Sequence, residues 1–211
     1  MPSRETGMDN GNVDGADHDA VVDGVDIALT VEDDRWADVL GTPPSALVFP
    51  AVAAALAGGC DRKPGSAIHE ETCLGLTFTN DAAVRTLNRD YRGRDSATNV
   101  LSFALQDGEA LPQPDGAPIE LGDLVLAYET ILRESDLQGR PVRHHLTHLI
   151  VHGVLHLLGY DHMTDDEAAE MESLEIDILR RLAIPDPYRI DPEPTHFEEE
   201  TPAAGRADGL P

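Results

Sequence analysis

Lysine is almost missing from this chain. Lys63 is the only one, beside 14 arginines, and the 15 bases face 40 Asp and Glu, for a formal net charge of −25 in 211 residues. That balance excludes a broad, non-specific nucleic-acid surface, which needs an excess of Lys and Arg against phosphate. It leaves room for a local basic groove. Cysteine is nearly as scarce. Cys60 and Cys73 form no C-x-x-C and give no disulfide framework, so they read as two reduced thiols of a cytoplasmic protein. Aromatic residues make up 4%, so a core must rest on Leu, Val, Ile and Ala. No apolar run approaches the roughly 18 residues of a membrane span, which argues against a membrane partner. The acidic N-terminus lacks the basic and apolar regions of a secretory signal.

What is present suffices for one domain with tails, since 41% of the chain is apolar. Residues 1–24 are rich in Gly and Asp, and residues 186–211 carry several prolines and the run Glu198-Glu199-Glu200. Neither has apolar periodicity, so both read as disordered acidic tails around a single domain at 25–185. Alternation predicts strands at Val25–Val31, Thr72–Thr79, Asn99–Leu105 and Leu121–Ala127. Helices are expected at Ser45–Ala57, closed by Gly58-Gly59, then from Asn80-Asp81 to about Asn88, at Ala127–Leu137, Pro141–Leu158 and Asp165–Leu182. Thr164 and Glu167 give the last helix a capping box. The segment 106–120, with Gly, Pro and Asp, reads as a loop. The expected fold is α+β: a small mixed four-stranded sheet with four to five helices.

The helix at Pro141–Leu158 carries the chemistry. His152 and His156 lie four residues apart, so both imidazoles leave one face about 6 Å apart along the axis. Gly159 then stops the helix, and the turn brings in His162 from a third direction. One such histidine is ordinarily a packing residue. Three, with a glycine breaker between the second and third, are hard to explain by packing. Three imidazoles with an open fourth position suit one catalytic zinc ion per chain, at Zn–N distances of about 2.0–2.1 Å. The open position suits a water activated for hydrolysis. His148 shares the face but lies about 12 Å from His156, too far to share the ion. It is expected to pack or to brace the ligands from behind. His144 and His145, at the helix start, are expected to be solvated. Asp161 either orients an imidazole or is a turn residue.

The stretch His152-Gly-Val-Leu-His156-Leu-Leu-Gly-Tyr-Asp-His162 resembles the signature of the YbeY family of bacterial endoribonucleases. Two further segments agree in the same order: Leu87-Asn-Arg-Asp-Tyr-Arg92-Gly-Arg-Asp-Ser-Ala-Thr-Asn-Val-Leu-Ser-Phe103, and Leu121-Gly-Asp-Leu-Val-Leu126. The resemblance spans about residues 25–182. Ala104 stands where the family often has proline. The resemblance implies zinc on His152, His156 and His162, and a functional arginine at Arg92. It implies a single-strand-specific endoribonuclease of 16S rRNA 3′-end maturation and ribosome quality control, with ribosomal RNA and the small subunit as partners. Independently of the family, a guanidinium fork at Arg92 suits the charge that develops on a phosphodiester under attack. The plainer role for Arg92 is a surface ion pair with Asp90 or Asp95. Arg85, Arg89 and Arg94 are candidates to extend a basic strip for docking RNA.

Two other functions compete. The spacing of His152, His156, Gly159 and His162 is also that of the metzincin peptidases, H-E-x-x-H-x-x-G-x-x-H. There the glutamate is the general base; here the position is Gly153. A non-catalytic ribosome assembly factor with structural zinc would close the fourth position, with Cys60 or Cys73 as the only thiols.

Overall fold

The computed structural model describes residues 20–22, 24–41, 43–62, 72–105 and 118–189. Alternation shapes its sheet. In β2 (Val25–Val31), Val25, Ile27 and Leu29 are buried while Asp26, Ala28 and Thr30 are exposed. In β3 (Thr72–Thr79), Leu74, Leu76 and Phe78 face inward in the same way. With β1 (Ala20–Val22), β4 (Val100–Ala104) and β5 (Ile119–Ala127) the sheet runs β1-β2-β3-β5-β4. The inner strands β2, β3 and β5 are parallel, and β1 and β4 add antiparallel edges. The sheet is therefore mixed and the fold α+β, as expected, with one strand more. β1 is only three residues long, too short for periodicity to show, and it pairs Val22 with Val25 inside the segment read as a tail. The described residues also continue past 185, to Arg189. The rest of both tails, and most of the loop at 106–120, lie outside the described residues.

Among the described residues six helices pack with the sheet: α1 (Trp36–Leu40), α2 (Ser45–Arg62), α3 (Asp81–Arg92), α4 (Tyr128–Gln138), α5 (Val142–Leu157) and α6 (Asp165–Arg181). Successive residues of a strand point to opposite faces, and β5 uses both. Leu124 and Leu126 join the main core with α2, α5 and α6. Val125 turns the other way and packs with Leu101 of β4 under Val84 of α3. Helix α1 was too short to be read from the sequence. Its Trp36 is fully buried and donates Nε1–H to the Thr79 carbonyl at 2.8 Å.

Helix α2 runs through Gly58 and Gly59 instead of ending there. Both glycines are buried. A Cβ at 58 would fall 2.7 Å from Cγ1 of Ile178 on α6, and one at 59 would fall 2.5 Å from Cδ1 of Leu158. They serve close helix packing, not termination. Helix α5 is the centre of the domain, packed on α2, α4, α6, β4 and β5. It ends where the glycine predicts. Gly159 is left-handed at φ 77, and Tyr160 N–H returns to the Leu155 carbonyl at 3.0 Å. The capping box of α6 is formed by Thr164 and Glu167. No helix among the described residues is long and apolar enough to cross a membrane.

Candidate metal centre and its cleft

His152 and His156 project from the last turns of α5, and the turn after Gly159 brings His162 beside them. One ligand nitrogen from each lies within 4.8 Å of the others, a group able to hold a metal ion. Hydrogen bonds fix which nitrogen each helical ring offers. His156 Nδ1–H donates to the Tyr160 carbonyl at 2.9 Å, and His152 Nδ1–H donates to Oε1 of Glu175 at 2.7 Å. Both acceptors lack protons, so Nδ1 is the donor in each ring and Nε2 is the nitrogen turned toward the other histidines. The two Nε2 atoms face one another at 3.1 Å. Tetrahedral zinc would hold such nitrogens about 3.3 Å apart, given Zn–N of about 2.0–2.1 Å. The pair is thus spaced for a shared ion. Burial, reinforced by the neighbouring His152 and His162, lowers the His156 pKa to about 4. The ring is then neutral at pH 7, the form a metal requires.

Glu175 of α6 was missed in the sequence. It is fully buried. Its Oε2 accepts from His148 Nε2 at 2.7 Å and from the Tyr188 hydroxyl, while Oε1 serves His152. Burial alone would raise its pKa; the hydrogen bonds from His148 and His152 outweigh it and hold the carboxylate at about 2. One signal was available. Met171, Leu174 and Ile178 mark the buried stripe of α6, and Glu175 sits within it at helical spacing. A carboxylate on an apolar stripe calls for partners. His148 occupies the bracing position expected of it.

His145 departs from expectation. It is buried rather than solvated, with Nε2–H directed to Oε2 of Glu134 on α4 at 2.9 Å. Its position turns it toward α4, which the apolar pattern of α5 alone does not reveal. Asp161 is a turn residue: its Oδ1 accepts from His162 N–H at 2.8 Å.

Arg92, the last residue of α3, faces the histidines across a cleft of about 510 Å³ that Arg94, Asn99 and Ser102 also line. Gly93 ends the helix in a left-handed cap at φ 67, and buried Asn88 steadies the following turn through the Ser96 carbonyl at 2.7 Å. The ion pairs considered for Arg92 form elsewhere. Asp90 pairs with Arg89 at 2.8 Å and Asp95 with Arg85 at 2.7 Å. Arg92 instead donates from Nη2 to the Ser102 carbonyl at 3.0 Å, and it has no ion pair among the described residues. Arg85 and Arg89 are thus each paired with a carboxylate, whereas Arg92 and Arg94 line the cleft.

The family described as Endoribonuclease YbeY matches residues 61–183, more than half of the chain. The chain belongs to the YbeY endoribonuclease family. Relatives bearing that name are similar over much of its length. The protein of Paramagnetospirillum magneticum is 46% identical over 78% of this chain and 96% of its own. That of Rhodospirillum rubrum is 51% identical over 68% of this chain and 72% of its own. That of Nitrobacter hamburgensis is 56% identical over a shorter stretch, 54% of this chain and 60% of its own.

The YbeY assignment agrees with what the site lacks for other chemistries. Gly153, where a metzincin has its glutamate, is pressed against β5, and a Cβ there would fall 2.7 Å from Cδ2 of Leu124. A side chain at 153 would collide with the sheet. Neither Cys60 nor Cys73 belongs to the group of residues that could hold a metal ion among the described residues.

Proposed function

We propose that this protein is a single-strand-specific endoribonuclease that holds one zinc ion through His152, His156 and His162 and grips the substrate phosphate with Arg92. We further propose that it acts in the cytoplasm on ribosomal RNA of the small subunit, in 16S rRNA 3′-end maturation and ribosome quality control. The carrying observation is the facing of a three-imidazole group and an arginine without an ion pair across one cleft. The choice of RNA and of pathway rests on family membership.

When bound, zinc supplies Lewis acidity toward a phosphodiester. The rest is the work of the chain's own groups. Arg92 and Arg94 give local positive charge on a protein of net charge −25, so RNA is drawn to the cleft and not to the surface at large. The Arg92 fork can hold two non-bridging oxygens as their charge grows. Its bond to a neutral carbonyl is exchangeable for phosphate at little cost, whereas a carboxylate partner would have competed. Neutral His156 and carboxylate-held His152 keep their lone pairs directed at the ion.

The test is cleavage of single-stranded RNA, duplex RNA and an unstructured peptide by zinc-loaded protein. Cleavage confined to single-stranded RNA is expected. Peptide hydrolysis, or no RNA cleavage even of precursor small-subunit RNA on ribosomal particles, would overturn the reading.

A further inference from the structure

We propose that Glu175 and Tyr188 form a clamp that locks His152 in its metal-binding tautomer, which makes the segment Asp186–Arg189 part of the metal centre. The proposal deepens the reading above and rests on its three-histidine site.

A carboxylate removed from water must find donors at both oxygens. Glu175 finds three, all from side chains. His148 Nε2–H and the Tyr188 hydroxyl converge on Oε2. Two donors on one oxygen fix the twist of the carboxylate. Oε1 is left for His152 Nδ1 at 2.7 Å. A carboxylate can only accept, so the proton of His152 is held on Nδ1 and the lone pair stays on Nε2, toward His156. The buried negative charge also offsets part of the charge of a divalent ion.

A simpler role would be a strut joining α5 to α6. That accounts for His148 and His152, which already tie the two helices together through Glu175. It does not account for Tyr188, which comes from beyond α6. This tyrosine remains 42% exposed, yet its hydroxyl is brought to the same oxygen and its ring meets that of His148 edge-on at 5.6 Å. Removing that hydroxyl leaves the α5–α6 link intact, so Tyr188→Phe separates clamp from strut.

The experiment uses the full chain. Zinc affinity is read by competition with a chromogenic chelator, and the melting temperature is taken on metal-free protein. Tyr188→Phe and Glu175→Gln are expected to weaken zinc about 10- to 100-fold, the usual cost of losing a partner behind a ligand. The metal-free melting temperature of Tyr188→Phe should barely move. Imidazole 15N spectra of the metal-free chain should show His152 protonated at Nδ1 in the wild type and mixed tautomers in Glu175→Gln. Unchanged zinc affinity in Tyr188→Phe overturns the clamp, whatever Glu175→Gln does. His156→Ala separates the two levels of the argument. If it binds zinc as the wild type does, the three-histidine site itself is wrong. If it loses zinc while Tyr188→Phe keeps it, only the clamp falls.

Discussion

On one wall of the cleft every helical imidazole is held from behind. His156 bonds the Tyr160 carbonyl, and His152 bonds a carboxylate that is itself fully buried and bonded to His148 and Tyr188. On the other wall Arg92 is exposed, donates to the Ser102 carbonyl and has no ion pair among the described residues. The first wall belongs to the interior of the fold; the second is a helix end and a turn. A metal ligand gains from rigidity, since misplacement by a fraction of an ångström is felt at the ion. A group that must meet a flexible polymer gains from reach. Changes to the ligands on the first wall should therefore alter metal binding and the stability that metal gives the fold, while changes on the second should alter turnover alone.

The largest effect is expected at the ligands. His156→Ala should lower zinc stoichiometry from one per chain to near zero, abolish RNA cleavage and remove the stabilisation that metal gives the fold. His148→Ala should leave stoichiometry near one, because that ring reaches the ion only through Glu175. Metal analysis of the two purified variants checks this. A His148→Ala chain without zinc beside a His156→Ala chain with it would reverse the assignment.

Next comes Arg92→Ala. Loss of a charge-assisted contact to a developing oxyanion costs about 3 kcal/mol, on the order of a hundredfold in rate. Cleavage should fall by about that much, with zinc content and melting temperature unchanged. Arg92→Lys should recover only part, since lysine keeps the charge but loses the fork. A wild-type rate for zinc-loaded Arg92→Ala would show that the second wall has no part in the reaction.

The same contrast explains what could be read from the chain. His152, His156 and His162 were legible because helical periodicity and one glycine fix them locally. Arg92 was legible as a candidate through the family resemblance, which implies an arginine there, and because a guanidinium fork suits a phosphodiester. Glu175 was not: its meaning depends on α6 crossing α5, and nothing local says which residue it will face. Tyr188 falls in a segment read as a tail because its anchors, the hydroxyl on Glu175 and the ring on His148, leave no periodic trace. His145 was misjudged for a related reason, its partner Glu134 lying on another helix. Gly58 and Gly59 read as a stop, yet Gly58 lets α2 approach α6 and Gly59 lets it approach the end of α5, a distinction that only the neighbouring helices make.

A smaller effect sharpens the packing of the first wall. Gly153→Ala would place a Cβ 2.7 Å from Cδ2 and 2.9 Å from Cδ1 of Leu124, which is fully buried and has little room to yield. Overpacking of this kind costs about 1–3 kcal/mol. The better helix propensity of alanine returns at most about 1 kcal/mol. A melting temperature lower by a few degrees is expected, in metal-free and zinc-loaded chains alike. An increase would mean that α5 can lift from β5 freely.

The smallest effect concerns the link between the walls. Glu134 of α4 accepts from His145 of α5 at 2.9 Å and from Asn99 Nδ2 at 2.9 Å, and Asn99 lies in the cleft just before β4. Partial burial pushes the Glu134 pKa up, but the hydrogen bonds from His145 and Asn99 outweigh it, so the group titrates below its ordinary value. A carboxylate whose folded pKa is depressed binds protons more readily in the unfolded chain. Its contribution is therefore complete above the unfolded pKa of about 4.3 and is lost as pH falls through the lower folded value. Glu134→Gln keeps the shape and an acceptor oxygen but removes the charge. The melting temperatures of wild type and variant should differ most near neutral pH and converge in acid. A gap of constant size down to pH 3 would show that Glu134 contributes shape and not charge. The two walls would then be joined by neutral hydrogen bonds and packing.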